Sequence, residues 1–144
     1  MDEIYLKVLS LLKAVDGLKY IDLNYGQLLV ERPTVAFPCA LVDIAYTNCE
    51  YLTAELMRVK CRVSVTVGIN VSVDKTASIY TDAANQNSLV YFALINAAFV
   101  ALQGYTDGEI EPLALAKMTQ ELTVPGYKVT ELPFDTEFDL VVAA

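Results

Sequence analysis

Met57-Arg58-Val59-Lys60-Cys61-Arg62-Val63-Ser64-Val65-Thr66-Val67-Gly68-Ile69-Asn70-Val71-Ser72-Val73 is the stretch that decides the fold. Every odd position is apolar, and every even position except Gly68 is polar. A strict two-residue period over so many β-branched side chains fits an extended strand and no helix. At about 3.3 Å per residue the strand would run roughly 55 Å, against a usual length of about five or six residues. A chain of 144 residues cannot easily cover both ends of it. The strand is therefore expected to bend at Gly68 or to project beyond its own sheet, and a projecting half-apolar ribbon calls for a neighbouring subunit.

Towards the N-terminus, residues 39–47 alternate again, with Val42, Ile44 and Tyr46 set against Asp43, Ala45 and Thr47. The link at 48–55 is short and polar. It predicts an antiparallel hairpin turning near Tyr51 and Leu52, which would set Asp43 about opposite Lys60 or Arg62 as a cross-strand ion pair. Before that, residues 2–15 carry Ile4, Val8, Leu11, Leu12 and Val15 at helical spacing, and Gly17 stops the helix. Residues 18–23 read as a short strand and 24–27 as a turn. Residues 28–34 read as a loop, because Pro33 and Pro38 cannot both serve a central ladder.

Towards the C-terminus, residues 74–87 are polar, lack a period and read as a loop, after which Asn87 or Ser88 can cap a helix to about Gln103 that Gly104 ends. Its main stripe is Leu89, Phe92, Ile95, Phe99 and Leu102. Val90, Leu94, Ala97 and Ala98 leave it little polar face, so it should lie across the sheet. Residues 113–124 read as a strand and Pro125-Gly126 as a turn. Residues 128–142 are a last strand, with Leu132, Phe134, Thr136, Phe138 and Leu140 on one face and Glu131, Pro133, Asp135, Glu137 and Asp139 on the other. The order α-β-β-β-α-β-β predicts one α+β domain over residues 1–144. Its architecture would be a two-layer sandwich, with two helices packed on an antiparallel sheet that contains the long hairpin.

Hydrophobic residues make up 55% of the chain and charged ones only 19%, which leaves apolar surface over after folding and points to oligomerisation. The net charge is −8, and the ten Lys and Arg form no basic stripe, which argues against a general nucleic-acid binder. Met1-Asp2-Glu3 is too acidic for a signal peptide, and the apolar run 89–102 is too short to cross a bilayer. A soluble intracellular protein with no membrane partner is expected.

Chemistry is scarce. With no histidine, imidazole-based triads and ordinary zinc sites are absent, and no GxGxxG, GxxxxGK[ST] or EF-hand loop occurs. Cys39, Cys49 and Cys61 are widely spaced and read as reduced, buried, apolar side chains. Cys61 has basic neighbours in Lys60 and Arg62, but these point to the opposite face of the strand and cannot activate it. No cofactor, metal or catalytic residue is expected.

Asp135, Glu137 and Asp139 stand nearly 7 Å apart along their strand. They read as a solvated face, as ligands to a hard cation, or as the lining of a ring channel that repels DNA phosphates and lets a duplex pass without sticking. Arg58, Lys60 and Arg62 can pair within the sheet, with an acidic face of a neighbouring subunit, or with phosphate. These six residues are the candidate oligomer interface. Asp22 reads as a turn cap, and Asn85, Gln86, Asn87 and Ser88 as a helix start.

The stretch Tyr20-Ile21-Asp22-Leu23-Asn24-Tyr25-Gly26-Gln27, followed by Arg32-Pro33-Thr34-Val35-Ala36-Phe37-Pro38-Cys39-Ala40-Leu41-Val42-Asp43-Ile44, resembles small proteins encoded in prophages and mobile elements of Bacteroides-like gut bacteria, among phage morphogenesis genes. The element order is similar to that of tail terminator and head-tail completion proteins of long-tailed phages. That resemblance implies a non-enzymatic structural subunit in a six-fold homo-oligomeric ring closing the tail tube at the neck. Its partners would be further copies of itself and tail-tube or neck proteins, and DNA would only pass through. It would sit in the bacterial cytoplasm during assembly and then in the virion tail or neck. The alternative from the residues is a small ligand-binding module or enzyme, with Asp22, Asp43 or Tyr91 in a pocket between the second helix and the sheet.

Overall fold

The computed structural model describes residues 2–29, 35–70, 82–116, 120–124 and 127–141. Helix α1 (Asp2–Lys13) leads to β1 (Tyr20–Leu23), a single 3-10 turn (Gln27–Leu29), and the hairpin of β2 (Cys39–Tyr51) and β3 (Leu56–Asn70). Helix α2 (Asp82–Leu102) follows, then β4 (Ala114–Leu115), β5 (Gln120–Val124) and β6 (Tyr127–Val141). The six strands form one sheet in the order β1-β2-β3-β6, with β4 and β5 along the outer edge of β6. The fold is α+β, with both helices on one face of the sheet.

Over its described residues the alternating stretch is the central strand, and there it does not project. Strand β6 is equally long and pairs with it from Leu56 opposite Val141 to Asn70 opposite Tyr127, so every residue of β3 has a partner. Val71 and Val73 lie outside the described residues. Nor does the strand break at Gly68, which pairs with Cys39 on one side and Val129 on the other. The glycine makes room instead. A Cβ there would stand 3.3 Å from Leu28 Cδ1 and 3.4 Å from Cys39 Sγ.

The odd positions of β3 face the helices. Val63, Val65 and Val67 pack with Leu132 and Phe134 of β6 beneath Val8 and Leu12 of α1 and Leu94, Ala98 and Leu102 of α2. A smaller cluster occupies one end of the opposite face, where Leu28, Cys39, Leu41 and Val129 are covered by Phe37 stacked on Tyr127 at 4.8 Å. The rest of that face carries the charged side chains.

Further expectations are corrected. The sheet is mixed, since β1 runs parallel to β2, bracketed by Lys19 N–H donating to the Pro38 carbonyl and Asn24 N–H to that of Val42. Residues 24–38 are long enough for the crossover that parallel pairing needs. The hairpin turns over residues 52–55, beyond the expected place, and one extra residue is inserted between Tyr46 and Asn48. Asp43 therefore faces Ser64, and neither Lys60 nor Arg62. Helix α2 begins at Asp82, ahead of Asn87, whereas residues 74–81 lie outside the described set. Its inward stripe is Tyr91, Leu94, Ala98 and Leu102, while Leu89 and Phe92 are exposed. The single strand expected at 113–124 is split between β4 and β5; residues 117–119, like 30–34 and 125–126, where a turn was expected, are outside the described set.

Candidate functional site

Strand pairing places the six candidate residues side by side. On the face away from the helices, Arg58 stands opposite Asp139, Lys60 opposite Glu137 and Arg62 opposite Asp135. Two residues of spacing on each strand keep the three pairs on one face, so the antiparallel register produces a ladder of ion pairs. Arg58 Nη1 donates to Asp139 at 2.9 Å, its Nε to Glu137 at 3.2 Å and its Nη2 to Glu111 at 3.3 Å. Arg62 grips Asp135 with Nε at 2.9 Å and Nη2 at 3.3 Å. Lys60 Nζ is 3.8 Å from Glu137, an ion pair longer than a hydrogen bond.

Both arginines are held charged. The hydrogen bond with Asp139, then that with Glu137, raises the Arg58 pKa, and the bond with Asp135 raises that of Arg62. Of the three readings of this basic run, the structure shows pairing within one chain. Glu111 is the member that the sequence did not indicate. It reaches the ladder because Glu111 N–H donates to the Glu137 carbonyl and Ile110 bridges Phe138, extending the edge beside β6. Among the described residues no group of three or more Asp, Glu, Cys or His converges as a metal site. The ladder borders a shallow charged depression of 470 Å³. It can fix strand register and present an acidic surface, for Glu131 and, opposite Arg58, Glu50 add to the carboxylates already there.

The pocket residues of the alternative reading lie apart. Asp22 is on β1, where it accepts the hydroxyls of Tyr20 at 3.0 Å and Tyr5 at 3.4 Å and the Leu23 N–H at 2.8 Å. The Tyr20 hydroxyl, bonded to Tyr25 and Asp22, is pushed up to about 12. Asn24 and Gln27 close the following turn, accepting from Gly26 N–H and Tyr25 N–H. Tyr91 is buried on α2 and bonded to Thr130 of β6, three strand positions from β1, which is roughly 14 Å at about 4.8 Å per strand. Asp43 is exposed. Cys39 and Cys61 are buried and their thiols are pushed up to about 11 by that burial, while Cys49 is exposed, contrary to expectation. It stands beyond the inserted residue, on the half of β2 that the helices do not cover.

Apolar surface is concentrated in two places. The outer face of α2 exposes Leu89, Val90, Phe92 and Val100, and a groove of 760 Å³ runs between α2 and the end of α1, lined by Leu11, Ala14, Val15, Val90, Ala97 and Val100. The hairpin tip exposes Tyr51 and Leu52, with Val141 beside it. Past Val42, the outer edge of β2 has no strand beside it among the described residues. Lys7 fastens α1 to the loop before β4 through Asp107 and, at 3.6 Å, Glu109. That contact with Lys7, helped by the N–H groups of Glu109 and Ile110, holds the Asp107 carboxyl down at about 2. No helix among the described residues is long and apolar enough to cross a membrane. The chain matches no protein-family model and no curated protein.

Proposed function

We propose that the chain is a structural subunit of phage or prophage morphogenesis, a tail terminator or head-tail joining protein that assembles into a homo-oligomeric ring at the junction of tail and neck. The observation that carries this reading is the exposed apolar surface at two separate places, the α2 groove and the hairpin tip, on a chain whose ladder of charges on the other face is paired within itself. Exposed apolar patches rimmed by polar residues mark surfaces that meet another protein. The resemblance in residues 20–27 and 32–44 and in the element order supplies the phage setting. The excess of carboxylates beside β3 suits a channel wall that repels a passing duplex.

The test is the solution mass of the purified protein by light scattering, across a range of concentrations and salt, followed by electron microscopy of the assembled fraction. A closed ring that persists on dilution is the expected result. A monomer at every concentration would overturn the self-assembling ring.

A further inference from the structure

Given a self-assembling subunit, on which this inference rests, we infer that the contact between subunits is head-to-tail, with the hairpin tip of one copy seated in the α1–α2 groove of the next. The two surfaces are matched in character. The tip presents Tyr51, 69% exposed, and Leu52, 52% exposed. The groove, at 760 Å³, falls within the range of about 300–1,000 Å³ in which recessed sites hold a ligand-sized group.

Two lysines beside the groove also oppose two carboxylates at the tip. Glu50 and Glu55 flank the tip, whereas Lys13 stands at the end of α1 and Lys19 beside Pro38 at the groove. None of these four forms an ion pair with another described residue, although Asp16 in the groove wall opposes the tip acids. Lys7, Arg58, Lys60 and Arg62, by contrast, are already paired within the chain.

One chain cannot make this contact with itself. Pro38 borders the groove and Tyr51 ends β2, so the length of that strand, roughly 40 Å at about 3.3 Å per residue, separates hole from knob. Two different patches at opposite ends of one subunit make a heterologous contact, which builds a closed ring where the rotation allows and a filament where it does not. The groove is largely preformed by two helices packed on the sheet, and the tip is held by Leu52 N–H donating to Leu56 O and by the Thr53 hydroxyl accepting Glu55 N–H and Leu56 N–H.

The experiment uses two full-length variants, Leu52→Glu at the tip and Ala93→Glu at the groove. Ala93 lines the groove and both positions are exposed, and circular dichroism with a denaturation curve checks that each variant folds. Each alone should raise the concentration needed for assembly on the order of tenfold or more. Mixed together, they retain one intact tip and one intact groove between them and should give a 1:1 heterodimer and nothing larger. If wild type is an oligomer that neither change disturbs, the tip-in-groove contact is overturned while the assembly reading stands. If both changes break assembly but the mixture yields no heterodimer, the head-to-tail arrangement is overturned. If wild type is monomeric throughout, both readings fall.

Discussion

Replacing Leu94 by Ala and Phe92 by Ser puts the orientation of α2 to a direct test. The two side chains are two residues apart on one helix, and a reading by size alone makes Phe92 the core residue. In the structure Leu94 is 5% exposed and Phe92 is 63% exposed. Leu94 sits beneath the turn that ends α1, with its Cδ1 3.7 Å from where a Cβ on Gly17 would stand. Removing its buried methyl groups leaves a cavity against a rigid sheet, at a cost of about 3 kcal/mol, within the usual 2–5 kcal/mol for Leu→Ala. Losing Phe92 from the surface should change stability by no more than about 0.5 kcal/mol. Urea unfolding of dilute protein reads both. With a slope of about 2 kcal/mol per molar, Leu94→Ala should lower the midpoint by about 1.5 M without altering the slope, and Phe92→Ser should barely move it. If Phe92→Ser cost as much as Leu94→Ala, the helix would be turned the other way and the apolar groove would not exist as described.

Gly68→Val should destabilise by about 1–3 kcal/mol, because its side chain must enter space filled by Leu28 and Cys39; a midpoint unchanged from wild type would show that the smaller cluster is loosely packed. Asp107 is held at about 2 by Lys7, so its stabilising contribution is complete above the unfolded carboxylate value of about 4 and is lost as the pH falls towards 2. The stability gap between wild type and Asp107→Asn, followed by thermal melts, should therefore close across that interval. A thiol reagent followed by mass spectrometry should label Cys49 at once and Cys39 and Cys61 only on unfolding, since burial both hides the latter two and keeps them protonated; rapid labelling of all three would contradict the packing.

The two-residue period of β3 and the alternation of β6 were legible because a strand face buried against helices leaves a periodic record, and both strands fall where that record puts them. Residues 2–15 were legible for the same reason, at a period of three and four. What the sequence could not convey is less local. Asp43 was set against the wrong partner because the hairpin turns later than the polar link suggests, and the inserted residue at Thr47 takes back only one position of that shift. Helix α2 is apolar on nearly every face, so periodicity cannot choose among its faces. The choice is made by Ala98, small enough to bring the helix close to the sheet, and by Tyr91, whose hydroxyl must find Thr130. Glu111 joined the ladder through a pairing with β6 that no spacing in the sequence announces.

The ladder itself bears on where subunits of the proposed ring would meet. Sequence alone made Arg58, Lys60, Arg62, Asp135, Glu137 and Asp139 candidates for an interface, because opposite charges on exposed faces can join two copies. In the folded chain each of these cations already has a carboxylate at 2.9 to 3.8 Å on the neighbouring strand. A second copy would have to displace those partners and would gain only the difference between two exposed ion pairs, which is small. The groove and the hairpin tip have no such partner to displace, and covering them removes apolar surface from water. Arg62→Gln and Lys60→Gln should accordingly leave the mass of the proposed oligomer unchanged at a given concentration, with any effect appearing instead as a small, salt-sensitive loss of fold stability. A fall in mass caused by either substitution, in protein that remains folded, would place the ladder between subunits and return the interface to the face away from the helices.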